Sequence, residues 1–143
     1  MTTSPLTLQP AVAASLATWH EMVASRNLDN LLAIVHPDAV FRSPLANSAY
    51  HSSAAVALAL GTVINVFENF RYHRQLASDD GLNVVLEFSA NVGDRQLKGI
   101  DLVRFDEDGK IVEFEVMVRP LSGLQALGLE MGKRLGERMA AFK

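Results

Sequence analysis

Asp101 stands inside an apolar run, GIDLVRF, between Ile100 and Leu102. Read as a strand, the run puts Asp101 on the same face as Gly99, Val103 and Phe105. Aspartate is depleted in strands, and a carboxylate on an apolar face is costly unless it is paired or protonated. Two arrangements relieve that cost. One is an ion pair with an arginine such as Arg42, Arg74 or Arg104. The other is a dry pocket, where the pKa rises and the group works as a general acid or base near neutral pH. The second is chemistry, and Asp101 is the candidate catalytic residue.

Few other groups compete with it. The chain has no cysteine, which removes disulfides, thiolate ligands and cysteine nucleophiles together and leaves the redox compartment open. His20, His36 and His51 stand singly, without the three- or four-residue spacing of a helical metal site, so no metal is expected. Tyr72 and His73 are neighbours on one strand. They point to opposite faces, and only one can look into a pocket. Trp19 lies on the apolar stripe of a helix, as core or as ligand wall. Ser43 ends a short strand before Pro44, where it either orients a water or ligand or simply finishes the strand. Glu113 and Glu115 alternate with Phe114 and Val116, which reads as a solvated or subunit-facing row rather than a catalytic pair.

The elements that must position these residues follow from periodicity. Residues 1–9 are polar and punctuated by proline, and a loose end is expected. Pro10 opens a helix with Val12, Leu16, Trp19 and Val23 on its stripe, to about Arg26. Leu28, Leu31, Leu32 and Val35 predict a short second helix ended by His36-Pro37. Ala39–Ser43 is a short strand. Ser52 or Ser53 caps a third helix with Val56, Leu60, Val63 and Phe67 on its buried side. Strands are predicted over Phe70–Leu76, Leu82–Val92, Gln96–Phe105 and from Val112 onward. The last two join through Asp106-Glu-Asp-Gly109, a strong hairpin signal. Pro120 opens a final helix over 120–142, with Leu121, Leu124, Met131, Leu135 and Met139 as its stripe. Gly128, Gly132 and Gly136 fall four apart, a row suited to close packing on the sheet or on a second subunit.

Helices followed by hairpin-linked strands mean an α+β fold with a mostly antiparallel sheet. Curved strongly, such a sheet becomes a cone around a pocket. The 143 residues are expected to form one domain, and 49% hydrophobic content is ample for a core. A formal charge of −3 argues against nucleic acid. No basic, apolar leader and no membrane-length apolar run is evident, so a cytoplasmic protein without membrane contact is the expectation.

Three stretches carry a family resemblance over Trp19 to about Pro120. They are Leu31-Leu-Ala-Ile-Val-His-Pro-Asp-Ala-Val-Phe-Arg-Ser-Pro44, the Tyr50-His51 lead into a capped helix, and Gly99-Ile-Asp-Leu-Val-Arg-Phe-Asp-Glu-Asp-Gly-Lys-Ile111. In these the chain resembles the SnoaL-like and ketosteroid-isomerase-like branch of the nuclear transport factor 2 superfamily. The resemblance implies a cone-shaped α+β barrel, in which a curved sheet packs on three N-terminal helices around a conical pocket, and often a homodimer. It implies a cofactor-independent isomerase, polyketide cyclase or dehydratase acting on a small apolar carbonyl compound, or else a binding protein or a structural dimer. Asp101 matches the strand aspartate that donates to the oxyanion in the isomerases. Ser43 falls where they have their general-base aspartate, and Trp19 where they have their oxyanion tyrosine. Serine lacks useful basicity and indole donates no proton, so the usual steroid isomerisation is not carried over. The cyclases' histidine partner is absent too, with Glu87 on that strand. The expected pocket is lined by Trp19, Phe41, Ser43, Phe67, Tyr72, Phe88, Phe114 and Val116.

Overall fold

The structure, a computed structural model, describes residues 8–143. Most of the expected loose end, residues 1–7, lies outside them. Leu8 and Gln9 are held: Leu8 is buried, and the Gln9 backbone N–H donates to the Gly81 carbonyl at 3.2 Å.

Helix α1 spans Pro10–Ser25 and buries Val12, Leu16, Trp19 and Met22. Val23 falls at the margin of that stripe rather than at its centre. The stretch expected as a second helix is a single 3-10 turn over Leu31–Ile34, and strand β1 begins at once, over Val35–Arg42. The physical reason is local. Ile34 and Val35 are β-branched, and the residue before Pro37 is pushed to extended backbone. Pro37 is tolerated inside the strand because β1 breaks its register between Val35 and Val40. Strand β2 is Tyr50–His51, and helix α2 is Ser53–Val66, with the Ser52 hydroxyl oxygen accepting from the Ala55 N–H. The end of α2 is tied to the end of α1. Arg26, left-handed at φ 55, donates from its guanidinium to the carbonyls of Ile64 and Phe67.

Strands β3 (Glu68–Ala77), β4 (Asn83–Val92), β5 (Arg95–Phe105) and β6 (Ile111–Arg119) follow by hairpins. The sheet order is β2-β1-β6-β5-β4-β3, with β1 parallel to β6 and every other pair antiparallel. The sheet is curved and open, with β2 and β3 as its edges. At the β5–β6 turn, Asp106 Oδ1 accepts from the N–H groups of Asp108 and Lys110 at 3.0 and 2.9 Å, and Gly109 takes φ 81. A side chain at Gly109 would collide with the backbone of Ala11, so this turn seats directly on the first turn of α1.

Helix α3 covers Leu121–Leu135 and stops at Gly136, φ 56; a 3-10 turn over Arg138–Phe142 completes the chain. The expected continuous helix to residue 142 is therefore broken, because glycine readily takes the left-handed φ that ends a helix. The expected stripe also shifts. Leu121 is 68% exposed, and the buried line is Gly123, Leu127 and Leu135, with Met139 beyond. Close packing falls on Gly123, whose missing side chain leaves room for Leu97 and the Gln96 carbonyl of β5. Gly128 faces only the Leu45 side chain, and nothing lies near Gly132 or Gly136.

Candidate functional site

Between the concave face of the sheet and the helices lies a cavity of roughly 620 Å³, counting the open space at its mouth. Its walls come from α1 (Trp19, Val23), the end of β1 and the loop after it (Phe41, Ser43, Pro44, Leu45), α2, β3, β5, β6 and α3. They are apolar except at Trp19, Ser43, Tyr72 and Asp101.

Alternation along β5 places Asp101 on the inner face, opposite Leu86 of β4 and Val116 of β6. It is 6% exposed. Arg42 and Arg104 both bind Glu113, and Arg74 binds Glu87 together with Lys98, all on the outer face. None of the three arginines considered as partners reaches Asp101. The sheet itself separates them, because residues one apart on a strand face opposite sides.

A bulge decides between Tyr72 and His73. Tyr72 pairs with Phe88 and Gln75 with Leu86, so His73 and Arg74 together stand against Glu87. The extra residue keeps Tyr72 pointed inward and turns His73 out, where its ring meets the Ser89 hydroxyl at 2.7 Å. Inside, the Trp19 indole N–H donates to the Tyr72 oxygen at 3.0 Å, and the Tyr72 hydroxyl donates to Asp101 Oδ2 at 2.6 Å. No other hydrogen bond to the Asp101 carboxyl exists among the described residues. No buried side-chain oxygen or nitrogen there is left without a partner, so the second Asp101 oxygen is the one that reaches the cavity.

Burial without a cation pushes the Asp101 carboxyl up to about 7, and the hydrogen bond from Tyr72 restrains the rise. Burial, and then the neighbouring Asp101 charge, push the Tyr72 hydroxyl well above its ordinary value. Tyr72 thus stays a neutral donor. A carboxyl raised to about 7 has the pKa that acid–base chemistry near neutrality calls for.

Of the residues expected to line the pocket, Trp19, Phe41, Ser43, Phe67, Tyr72 and Val116 do so. Phe88 and Phe114 do not. Both are fully buried one layer behind the wall. Phe114 supports Trp19 edge-on at 5.3 Å and stacks at 6.5 Å on Phe41. Phe88 backs Phe67 at 5.5 Å and Phe70 at 5.2 Å. Gly99 makes room for it, since a side chain there would strike the Phe88 ring. Alternation predicts the correct face for these two phenylalanines but not their depth. Phe70, Leu127 and Met131 line the cavity unforeseen. The spacing of Leu127, four residues from both Gly123 and Met131, was the available signal.

Among the described residues no three histidines and carboxylates converge as a metal site, and no helix is long and apolar enough to cross a membrane.

The comparisons agree with this architecture. The family model of the SnoaL-like domain matches residues 16–114. A steroid delta-isomerase structure from Pseudomonas aeruginosa is 61% identical, with TM-score 0.89 over 93% of this chain and 97% of that one. A protein from Silicibacter pomeroyi DSS-3 with a cystatin-like fold is 30% identical, with TM-score 0.82 over 95% and 94%. SalBIII, an epoxide hydrolase/cyclase-like enzyme of salinomycin pyran-ring formation, shares the fold at 15% identity, with TM-score 0.63 over 78% and 92%. None of the curated proteins matches the chain.

Proposed function

The chain belongs to the SnoaL-like domain family, and from that premise we propose that its cavity takes a small apolar carbonyl compound on which Asp101 moves a proton. The observation that carries this reading is the unpaired Asp101 oxygen facing an otherwise apolar hollow. A carboxyl that titrates near 7 takes a proton in one step and returns it in the next. In an isomerisation, the carboxylate removes a proton from the carbon between a carbonyl and a carbon–carbon double bond. It then returns that proton to the far alkene carbon, and the double bond moves into conjugation. Atoms and electrons balance without a further reactant. The steroid delta-isomerase relationship at 61% identity supports this class over cyclisation or dehydration. The Ser43 hydroxyl, whose oxygen accepts from the Leu45 N–H at 3.0 Å, keeps its own proton for the developing enolate oxygen.

The test is a panel of β,γ-unsaturated cyclic ketones of increasing size, followed by the absorbance of the conjugated enone. Asp101→Asn lowers the rate by at least about a hundredfold. An undiminished rate removes Asp101 from the chemistry. A second reading, a binding protein without turnover, is favoured by one observation. The Trp19 and Tyr72 donors are both spent within the hydrogen-bond chain. Saturable binding of the same ketones with no conjugation would establish it.

A further inference from the structure

We infer that Tyr72, oriented by Trp19, is a positioning residue that confines the Asp101 proton to Oδ1, so that Asp101 offers the ligand one O–H donor when the carboxyl is neutral and one acceptor when it is ionised. The inference rests on the proposed reading that Asp101 faces the ligand, and it adds which ligand oxygen the site selects and when.

The argument is a count of protons. An indole N–H donates and cannot accept. At 3.0 Å it fills an acceptor position of the Tyr72 oxygen. The single Tyr72 proton is then free to go to Asp101 Oδ2, 2.6 Å away. The reverse arrangement, with a proton on Oδ2 donated to Tyr72, makes the tyrosine oxygen accept twice. Its own proton then has no acceptor among the described residues, and a buried donor left without one is the costly case. Oδ2 is therefore the acceptor in both protonation states, and the acid proton belongs on Oδ1, the oxygen that opens on the cavity. Neutral Asp101 adds a donor for an acceptor oxygen such as a ketone's. Ionised Asp101 only accepts, from a hydroxyl or from the acidic carbon beside a carbonyl.

Nothing else charged faces the carboxyl. From α1 come Trp19 and His20, and His20 stands behind Tyr72, ring edge to face at 5.2 Å, with its Nε2 on Gln75. From β3 comes Tyr72 itself. Leu86 of β4 and Val116 of β6 lie opposite. α2 and α3 present only apolar side chains to the cavity. Glu87, Glu113, Arg74, Lys98 and Arg104 are on the other side of the sheet, in ion pairs. The Trp19 indole N–H is spent on Tyr72 and leaves the ligand to Asp101.

The test reads the carboxyl directly. Protein labelled with ¹³C at the aspartate Cγ is titrated by NMR, with Asp101→Asn assigning the resonance. Tyr72→Phe removes the donor that stabilises the charged form, and raises the Asp101 midpoint by about one to two pH units. Trp19→Phe frees the tyrosine to turn and raises the midpoint by less. A role in packing alone predicts no movement in either variant, and an unmoved midpoint in Tyr72→Phe overturns the inference. So does a larger movement in Trp19→Phe. Binding of α-tetralone against tetralin on the wild type supplies the ligand arm. The preference for the ketone is about five- to tenfold greater at pH 5 than at pH 9. Shifted midpoints with neither probe bound sink the proposed function and leave the positioning role standing. Binding with equal preference at both pH values sinks the inference and leaves the pocket.

Discussion

Replacing Asp101 by asparagine should remove a pH dependence of stability rather than shift stability by the same amount at every pH. In the folded chain the carboxyl is lifted from 3.8 to about 7. The folded state therefore holds a proton that the unfolded chain has released. Stability from this group is complete below about pH 3.8, declines as pH rises toward 7, and is flat above that. A rise of about three pH units, at about 1.4 kcal/mol each, is on the order of 4 kcal/mol. Local relaxation around the ionised group makes that figure an upper bound. Asparagine keeps an oxygen for the Tyr72 hydroxyl and cannot ionise. At pH 4.5 the two proteins should be nearly equally stable. By pH 8.5 the asparagine variant should lead by about 2–4 kcal/mol, or on the order of 10 °C in Tm. The assay is urea denaturation at fixed protein concentration, from pH 4.5 to 9, followed by circular dichroism and by Trp19, the single tryptophan. Parallel stability curves for the two proteins would refute the reasoning. They would mean that the carboxyl is already hydrated or paired in solution, and the buried-acid account would fall with them.

Glu87 governs the opposite limb. The Arg74 hydrogen bond, helped by Lys98, holds it down to about 2, so stability present above about pH 4.5 is lost as pH falls toward that value. Arg74→Ala should flatten this acid loss, measured by circular dichroism between pH 5 and 2. Gly109→Val forces a branched side chain into φ 81 and against the Ala11 backbone. It should cost at least about 1–3 kcal/mol in urea, and no cost would mean the turn is not seated on α1. Leu127→Ala removes a buried side chain from the cavity wall. A loss of about 2–5 kcal/mol is expected, with bulkier ketones gaining affinity relative to α-tetralone. Unchanged selectivity would place α3 outside the binding wall.

Much of the fold is legible in local chemistry. Period-two alternation places Val84, Leu86, Phe88 and Asp101 on the inner face, and the Asp-Gly turn joins the last two strands. Both are short-range effects, and any chain with this pattern carries them. The chain also states, by a carboxylate among apolar residues, that Asp101 must be paired or protonated. It does not say which, because the choice depends on atoms far away in sequence. Arg42, Arg74 and Arg104 are withheld by the two-sidedness of the sheet. Tyr72 is aimed inward by a bulge that only strand pairing creates. Phe88 and Phe114 share the expected face yet lie one layer too deep, since depth is set by what packs in front. The end of α3 turned on whether Gly136 would extend the helix or cap it. Local pattern decides which way a residue faces, and long-range packing decides what it meets there. The Trp19–Tyr72–Asp101 chain, drawn from three separate elements, belongs wholly to the second.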